Sequence, residues 1–215
     1  MTLKIRAAEV CKRLEKCYPD AICSLEYAEP YQLMIAARLS AQCTDARVNL
    51  VTPALFARYP TLDAFAQADL QELEQLIRPC GFYHVKAESI IAATRRLRDV
   101  YHGVMPDTLE ELLTLPGIGR KTANLLLGDV YGKPAVVTDT HCIRISGRLG
   151  LTKSTVPVKV EEDLRKILPA AESSDFCHRL VLFGRDTCRA RAPRCVDCPL
   201  SDLCLFFAKS NMETT

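Results

Sequence analysis

Apolar residues recur at helical spacing along almost the whole of this 215-residue chain, and this periodicity limits the fold more than any other feature. The spacing, with its start and stop signals, predicts helices over 3–17, from Pro30, from Asp45 to Tyr59, over 70–77, 85–101 and 109–115, from Arg120 to Val130, from about Thr138, and over 157–168 and 174–184. A strand pattern is confined to the short piece Ala135–Val137. The sequence therefore predicts an all-α fold.

Composition excludes several other classes of protein. Hydrophobic residues make up 48% of the chain and charged residues 25%, which is typical of a globular protein and not of a disordered one. The longest apolar runs, such as Leu33–Ala37, are too short to span a bilayer, and no signal-like apolar stretch follows Met1. We expect a cytoplasmic monomer with no membrane contact. A net charge of +2 neither requires nor excludes a nucleic-acid partner.

Eleven cysteines are many for a chain without a secretory signal, and an odd number argues against a disulfide framework. We expect seven of them, which lie on helical patterns, to be small buried hydrophobic residues. These are Cys11, Cys17, Cys23, Cys43, Cys80, Cys142 and Cys177.

The other four cysteines lie in one short polar segment with the spacing C-x6-C-x2-C-x5-C. They are Cys188, Cys195, Cys198 and Cys204. The segment offers no core in which four separate thiols could be buried, so a shared metal site is the better interpretation. Structural Zn²⁺ and a [4Fe–4S] cluster both accept four thiolates, and the spacing alone does not distinguish them.

Three arginines lie in the loop between the first two of these cysteines: Arg189, Arg191 and Arg194. A loop that is held at both ends would present them to solvent on a stiff frame, as contacts to nucleic-acid phosphates require. The alternatives are that they form an ordinary solvated face or offset the negative charge of a cluster.

The segment Leu115–Thr122 predicts a tight turn between two helices, with Gly117 and Gly119 at alternate positions. Such a turn directs backbone N–H groups at the start of a helix, where a DNA phosphate can bind, and Arg120 adds positive charge there. The alternative is an ordinary αα-hairpin.

Lys121 and Asp139 are the candidate catalytic pair. Lys121 lies in the first turn of a predicted helix, where the dipole and Arg120 both disfavour its charged form, as an amine nucleophile requires. Asp139 begins the next predicted helix, so it is either a plain N-cap or a carboxylate at the active site. Without Asp139, the better interpretation of Lys121 would be an ordinary solvated cation.

Several motifs occur together in this chain. They are L-P-G-I-G-R-K-T-A-N at 115–124, T-D-T-H at 138–141, the four-cysteine spacing, L-S-A-Q-C-T-D at 39–45 and G-F-Y-H-V-K-A at 81–87. Over roughly residues 5–205 the chain thereby resembles the endonuclease III family, the iron–sulfur DNA glycosylase/AP lyases of the helix–hairpin–helix superfamily.

The resemblance implies two helical lobes with a DNA cleft between them. A six-helix barrel lobe with the helix–hairpin–helix would cover 24–135, and an iron–sulfur cluster lobe would combine 1–23 with 136–215. The resemblance also favours a [4Fe–4S] cluster over Zn²⁺.

The resemblance further implies roles for single residues. Lys121 would be the nucleophile and Asp139 the essential carboxylate. Gln42 would fill the gap left by an extruded nucleotide, and Phe82 or its neighbour Tyr83 would wedge into the opposite strand. The chain departs from the family pattern in having Phe82 in place of a leucine and Cys43 in place of a small apolar residue.

The implied activity is base excision repair of double-stranded DNA that carries damaged pyrimidines or abasic sites. The damaged nucleotide is flipped out, the lysine attacks C1′ and expels the base, and the resulting Schiff base allows β-elimination. The implied location is the nucleoid, in a bacterial cytoplasm. The alternatives are a monofunctional adenine-type glycosylase, which usually lacks a lysine at position 121, a non-catalytic metal-stabilised DNA-binding module, and an electron-transfer protein.

Overall fold

The computed structural model describes residues 1–212, and over that range it contains helices and no strand, so the all-α prediction is confirmed. Its α-helices are α1 (Leu3–Cys17), α2 (Pro30–Leu39), α3 (Asp45–Arg58), α4 (Leu62–Ala66), α5 (Leu70–Ile77), α6 (Tyr83–Asp99), α7 (Leu109–Leu112), α8 (Arg120–Tyr131), α9 (Thr140–Arg148), α10 (Pro157–Ile167), α11 (Ser173–Asp186) and α12 (Leu205–Met212). The strand-like piece Ala135–Val137 is buried but belongs to neither a helix nor a strand.

The chain separates into two compact units. We call Cys23–Tyr131, with α2 to α8, the central unit. Met1–Ile22 and the chain from Gly132 onward, with α1 and α9 to α12, form the terminal unit. No helix within residues 1–212 is long and apolar enough to cross a membrane.

Helix α2 lies in the core of the central unit and packs against α3, α6 and α8. It begins at a capping box, in which Glu29 and Gln32 satisfy each other's backbone N–H groups. Its side chains are buried almost all round, at Leu33, Met34, Ile35, Ala36, Ala37 and Leu39. Helices α4 and α5 cover α6, whose predicted stripe is buried from Ala87 to Leu97. This packing fixes the positions of the turns that precede α3, α6 and α8.

In the terminal unit α11 packs against both α1 and α9. Gly184 allows the close approach of α11 to α9, because a Cβ there would collide with the His141 side chain. Helix α1 buries Ala7, Val10, Cys11 and Leu14, which recur at helical spacing. Ile5, expected on the same face, is 59% exposed because it lies outside that stripe.

Candidate functional site

The predicted hairpin joins α7 to α8 through a tight turn. The N–H of Ile118 donates to the carbonyl of Leu115 over 3.1 Å, and the buried Ile118 side chain anchors the turn. Gly117 has a φ of +76° and lies against Ser89 and Arg38, so the turn needs a glycine there. Gly119 has open space around its Cα, so the two glycines are not equivalent.

The hairpin turns its backbone towards solvent at the start of α8. Gly117 and Gly119 are exposed, and Arg120 is half-buried. The first N–H groups of a helix have no partner within the helix, and the positive end of its dipole lies there. The arrangement can bind an anion such as a phosphate.

Lys121 is the second residue of α8 and is exposed. Burial, and then the charge of Asp129, raise the pKa of the nearby Cys23 thiol to about 12. The charge of Asp45 raises it further, and the charge of Lys121 lowers it. Lys121 therefore lies in one electrostatic neighbourhood with two carboxylates and a thiol. Sequence analysis missed this grouping, because Asp45 carried only a helix-start signal, Cys23 was interpreted as a buried hydrophobic residue, and Asp129 carried no signal.

Asp139 is the N-cap of α9, as expected. Its Oδ1 accepts the backbone N–H of Cys142 over 2.7 Å, which holds the half-buried carboxylate in one orientation. The segment before it is fixed by the N–H of Val137, which donates to Cys177 Sγ over 3.2 Å. Asp139 belongs to the terminal unit and Lys121 to the central unit, and their catalytic pairing stays a prediction.

Gln42 and Phe82 both have left-handed backbones, with φ of +55° and +48°. This conformation is uncommon outside glycine and concentrates at functional sites. The buried Lys86 links the two turns, because its Nζ donates to the carbonyls of Leu39 over 2.8 Å and of Cys80 over 2.9 Å. Lys86 therefore connects the turns that carry both candidate DNA-inserting residues, and we call this pair of hydrogen bonds the Lys86 brace.

The two candidates for the strand wedge have different surroundings. Phe82 is 65% exposed and precedes α6. Tyr83 is half-buried, with its ring centroid 4.2 Å from that of His84 and 5.9 Å from the Arg78 guanidinium carbon. An exposed aromatic ring is better placed to enter a base stack than one packed among its neighbours.

The four predicted metal-binding cysteines line one cavity in the terminal unit: Cys188, Cys195, Cys198 and Cys204. Among the residues that the structure describes, no three His, Cys, Asp or Glu side chains form a group that could hold a metal ion. The backbone N–H of Leu200 donates to Cys198 Sγ over 3.4 Å, and Arg148 Nη1 donates to Cys188 Sγ over the same distance. Burial, and then the nearby cysteines, raise the pKa of the Cys198 thiol to about 11.

The arginine-bearing loop is held from inside the unit by α9. Arg148 donates to the carbonyls of Arg189 over 2.7 Å and of Ala190 over 3.0 Å. The N–H of Arg194 donates to the carbonyl of Thr187 over 3.0 Å, which closes the loop.

All three predicted phosphate-contacting side chains of this loop are exposed. They are Arg189, Arg191 and Arg194. Arg194 lies 3.7 Å from Asp186 in an exposed ion pair, which water and salt screen. The structure thus places three exposed arginines on a loop whose backbone is hydrogen-bonded, and their contact with phosphates stays a prediction.

Comparisons with known proteins agree on one family. The family model described as "HhH-GPD superfamily base excision DNA repair protein" matches residues 35–170. The endonuclease III of Synechocystis sp. is 50% identical over 202 residues, which are 94% of this chain and 92% of that protein.

Two solved structures resemble this chain over almost their full length. The first is a non-covalent endonuclease III–DNA complex, with a TM-score of 0.91 and 42% identity, covering 99% of this chain and 100% of that one. The second is a trapped endonuclease III–DNA covalent intermediate, the estranged-adenine complex. It has the same TM-score and identity, and it covers 98% of this chain and 100% of that one.

Proposed function

The chain belongs to the HhH-GPD superfamily of base excision DNA repair proteins, within it to the endonuclease III family, and we propose that it removes oxidised pyrimidines from double-stranded DNA. It is a bifunctional enzyme, a DNA glycosylase and AP lyase. One observation carries the proposal for its active site: an exposed lysine, Lys121, lies in the first turn of α8, directly after the tight turn that joins α7 to α8.

We propose that the hairpin grips the DNA backbone. The backbone of the exposed Gly117 and Gly119 binds a phosphate without reading the base sequence. A grip of this kind places the sugar of a flipped nucleotide beside Lys121.

The Lys121 amine is the proposed nucleophile. As it attacks C1′, the bond between C1′ and the base breaks, and the base leaves with the bonding electrons. The carboxylate of Asp139 stabilises the positive charge that develops on the sugar. The sugar ring opens to a Schiff base, loss of a C2′ proton breaks the bond to the 3′ oxygen, and the strand is cut.

Gln42 and Phe82 are the proposed inserting residues. Their left-handed turns present them to solvent, with Gln42 filling the gap left by the flipped nucleotide and Phe82 entering the opposite strand. Tyr83 would support Phe82 from the start of α6.

A [4Fe–4S] cluster is the proposed cofactor, held by the four cysteines that line the cavity, Cys188, Cys195, Cys198 and Cys204. Zn²⁺ would need all four sulfurs about 2.3 Å from one point, whereas a cubane cluster distributes them over four iron atoms. Four sulfurs that line one cavity fit either group, and membership of the endonuclease III family favours the cluster. When bound, it supplies iron–sulfur bonds that hold the ends of the arginine loop together.

Two compact units, whose bounds differ by a few residues from those of the proposed lobes, support a division into two lobes. We assign the six-helix barrel lobe with the hairpin to 24–135 and the cluster lobe to 1–23 with 136–215. The protein would work as a monomer on the nucleoid DNA of a bacterial cytoplasm.

Borohydride trapping on a duplex with one thymine glycol tests the proposal, because borohydride reduces a Schiff base to a stable covalent adduct. We expect the native protein to be trapped and Lys121→Ala not to be. Lys153→Ala, which removes an exposed lysine of the terminal unit, is the matched control and should be trapped normally. Base release without trapping would indicate a monofunctional, adenine-type glycosylase. Salt-dependent binding without base release would indicate a non-catalytic DNA-binding module.

A further inference from the structure

Two free cysteines lie together in the central unit. The thiols of Cys43 and Cys80 share a hydrogen bond, and neither takes part in the activity proposed above. Cys80 is only 2% exposed, whereas Cys43 is partly open to solvent. Lys86 Nζ bonds the carbonyls of both Leu39 and Cys80, so the segments that carry the two thiols are held side by side, and oxidation can join them.

The pair lies between the two turns that carry the proposed inserting residues. Cys43 directly follows Gln42, and Cys80 precedes Phe82 by two residues. The Lys86 brace already ties the Cys80 carbonyl to the end of α2. A covalent bond between the sulfurs would join the same two turns a second time and restrict the movement of both.

The surroundings assign different roles to the two sulfurs. Burial, and then Cys43, raise the pKa of the Cys80 thiol to about 11, against the opposing charge of Lys86. A buried thiol of this kind is a poor first nucleophile. The more accessible Cys43 is therefore the sulfur that meets an oxidant, and Cys80 is the one that resolves the product.

We propose that Cys43 and Cys80 form an oxidation site, in which hydrogen peroxide converts the two thiols into a disulfide that locks the turns of Gln42 and Phe82. The Cys43 thiolate attacks one peroxide oxygen, the O–O bond breaks, and the departing hydroxide takes up a proton to become water. The Cys80 sulfur then gives up its proton and displaces the hydroxyl of the Cys43 sulfenic acid as a second water. The two sulfurs lose two electrons, and the peroxide gains them.

A second thiol pair provides an internal comparison. Cys142 and Cys177 also share a hydrogen bond, but they are 0% and 3% exposed. Peroxide that reacts according to solvent access should leave this pair reduced while it oxidises Cys43 and Cys80.

The test uses the reduced, cluster-containing protein, treated with hydrogen peroxide and then with a thiol-blocking reagent. Disulfides are mapped by mass spectrometry, and the visible absorption of the cluster is followed so that samples of equal cluster content are compared. We expect a bond between Cys43 and Cys80, free thiols at Cys142 and Cys177, and no such bond in Cys43→Ser. Oxidation of the exposed Cys17 while Cys43 and Cys80 both remain free would overturn the proposal.

The locking effect rests on the proposed function and is measured separately. Strand nicking by the oxidised protein should fall by roughly tenfold or more, because misplacement of positioning groups is costly. Dithiothreitol should restore it, and Cys43→Ser should keep its nicking after the same treatment. If the disulfide forms and nicking does not change, the proposal that the disulfide restricts the turns of Gln42 and Phe82 is wrong. A reduced protein that fails to nick would count against the proposed function, and the disulfide map would still decide the oxidation site.

Discussion

A Cβ placed on Gly117 would lie 2.8 Å from the Cβ of Ser89, closer than side chains pack in proteins. Ser89 cannot easily give way, because its Oγ accepts a hydrogen bond of 2.7 Å from Arg38 Nε, and that nitrogen would lie 2.9 Å from the same Cβ. The φ of +76° at Gly117 adds a second reason for glycine. The hairpin thus rests on α2 and α6 through its backbone.

We therefore expect Gly117→Ala to lower the free energy of unfolding by about 1–3 kcal/mol, through strain and crowding. The proposed phosphate grip should weaken with it, so strand nicking should decrease. Urea denaturation followed by circular dichroism measures the stability, and nicking of a duplex with one abasic site measures the activity.

Gly119→Ala is the matched control for stability, because nothing lies within 4 Å of the added Cβ. Its effect on the free energy of unfolding should stay below about 1 kcal/mol. Equal losses in the two variants would show that the contact between Gly117 and Ser89 has no special importance.

Phe82→Ala should reduce nicking of double-stranded substrate by roughly tenfold, since stacking on a base is worth about 1–3 kcal/mol. It should leave the unfolding midpoint nearly unchanged, because the ring is 65% exposed. Tyr83→Ala should have the smaller effect on nicking. The reverse order of the two variants would assign the wedge to Tyr83.

The ion pair between Arg13 and Asp202 makes part of the stability depend on pH. Arg13 Nη2 donates to Asp202 Oδ2 over 3.1 Å, and Nη1 donates to the other carboxylate oxygen. This pairing holds the pKa of Asp202 below its ordinary value of 3.8. Because the folded pKa is depressed, the contribution is complete above the unfolded value and is lost as pH falls through the folded one.

The measurement compares native protein with Asp202→Asn in urea titrations from neutral to acidic pH. The difference in free energy of unfolding should be below about 1 kcal/mol, because the pair is exposed, and it should shrink in high salt. It should also vanish at acid pH. If the difference in free energy of unfolding persists at a pH where the carboxylate is protonated, the charge of Asp202 does not cause that difference.

Local signals made much of the helix pattern predictable. Asp69, Thr108 and Asp139 are each N-caps whose side chain accepts the N–H three residues later, and capping needs only neighbouring residues. Helix α12 was missed because its first residues, Leu205 and Phe206, are exposed and give no buried stripe.

Contacts between distant segments left no comparable signal. Lys86 is 1% exposed, yet its partners are backbone carbonyls, which every residue has, so its role as a brace could not be inferred. Gly117 and Gly119 look equivalent in the sequence, and only the packing of Ser89 separates them. The expectation that the seven scattered cysteines are buried was confirmed for Cys11, Cys80, Cys142 and Cys177. It was wrong for Cys17, which is exposed, and for Cys23 and Cys43, which are only half-buried.

Cofactor content decides between the two metals that four thiolates can bind. We expect protein purified without oxygen to contain iron and acid-labile sulfide in equal amounts, with visible absorption typical of a cluster. Cys198→Ser should lose most of both, since it removes one of the four sulfurs at the cavity. Stoichiometric zinc without sulfide in the native protein would contradict the cluster assignment.

Loss of the cluster should also weaken DNA binding in a way that identifies the arginine loop. The loop ends at Cys188 and Cys195, so freeing them should disorder its three exposed arginines. If these arginines contact phosphates, the slope of log affinity against log salt should become shallower by about 2–3. Arg191→Ala, with the cluster intact, should change the slope by about 1. An unchanged slope in cluster-free protein would place the phosphate contacts elsewhere, with the hairpin at Gly117–Arg120 as the first region to test.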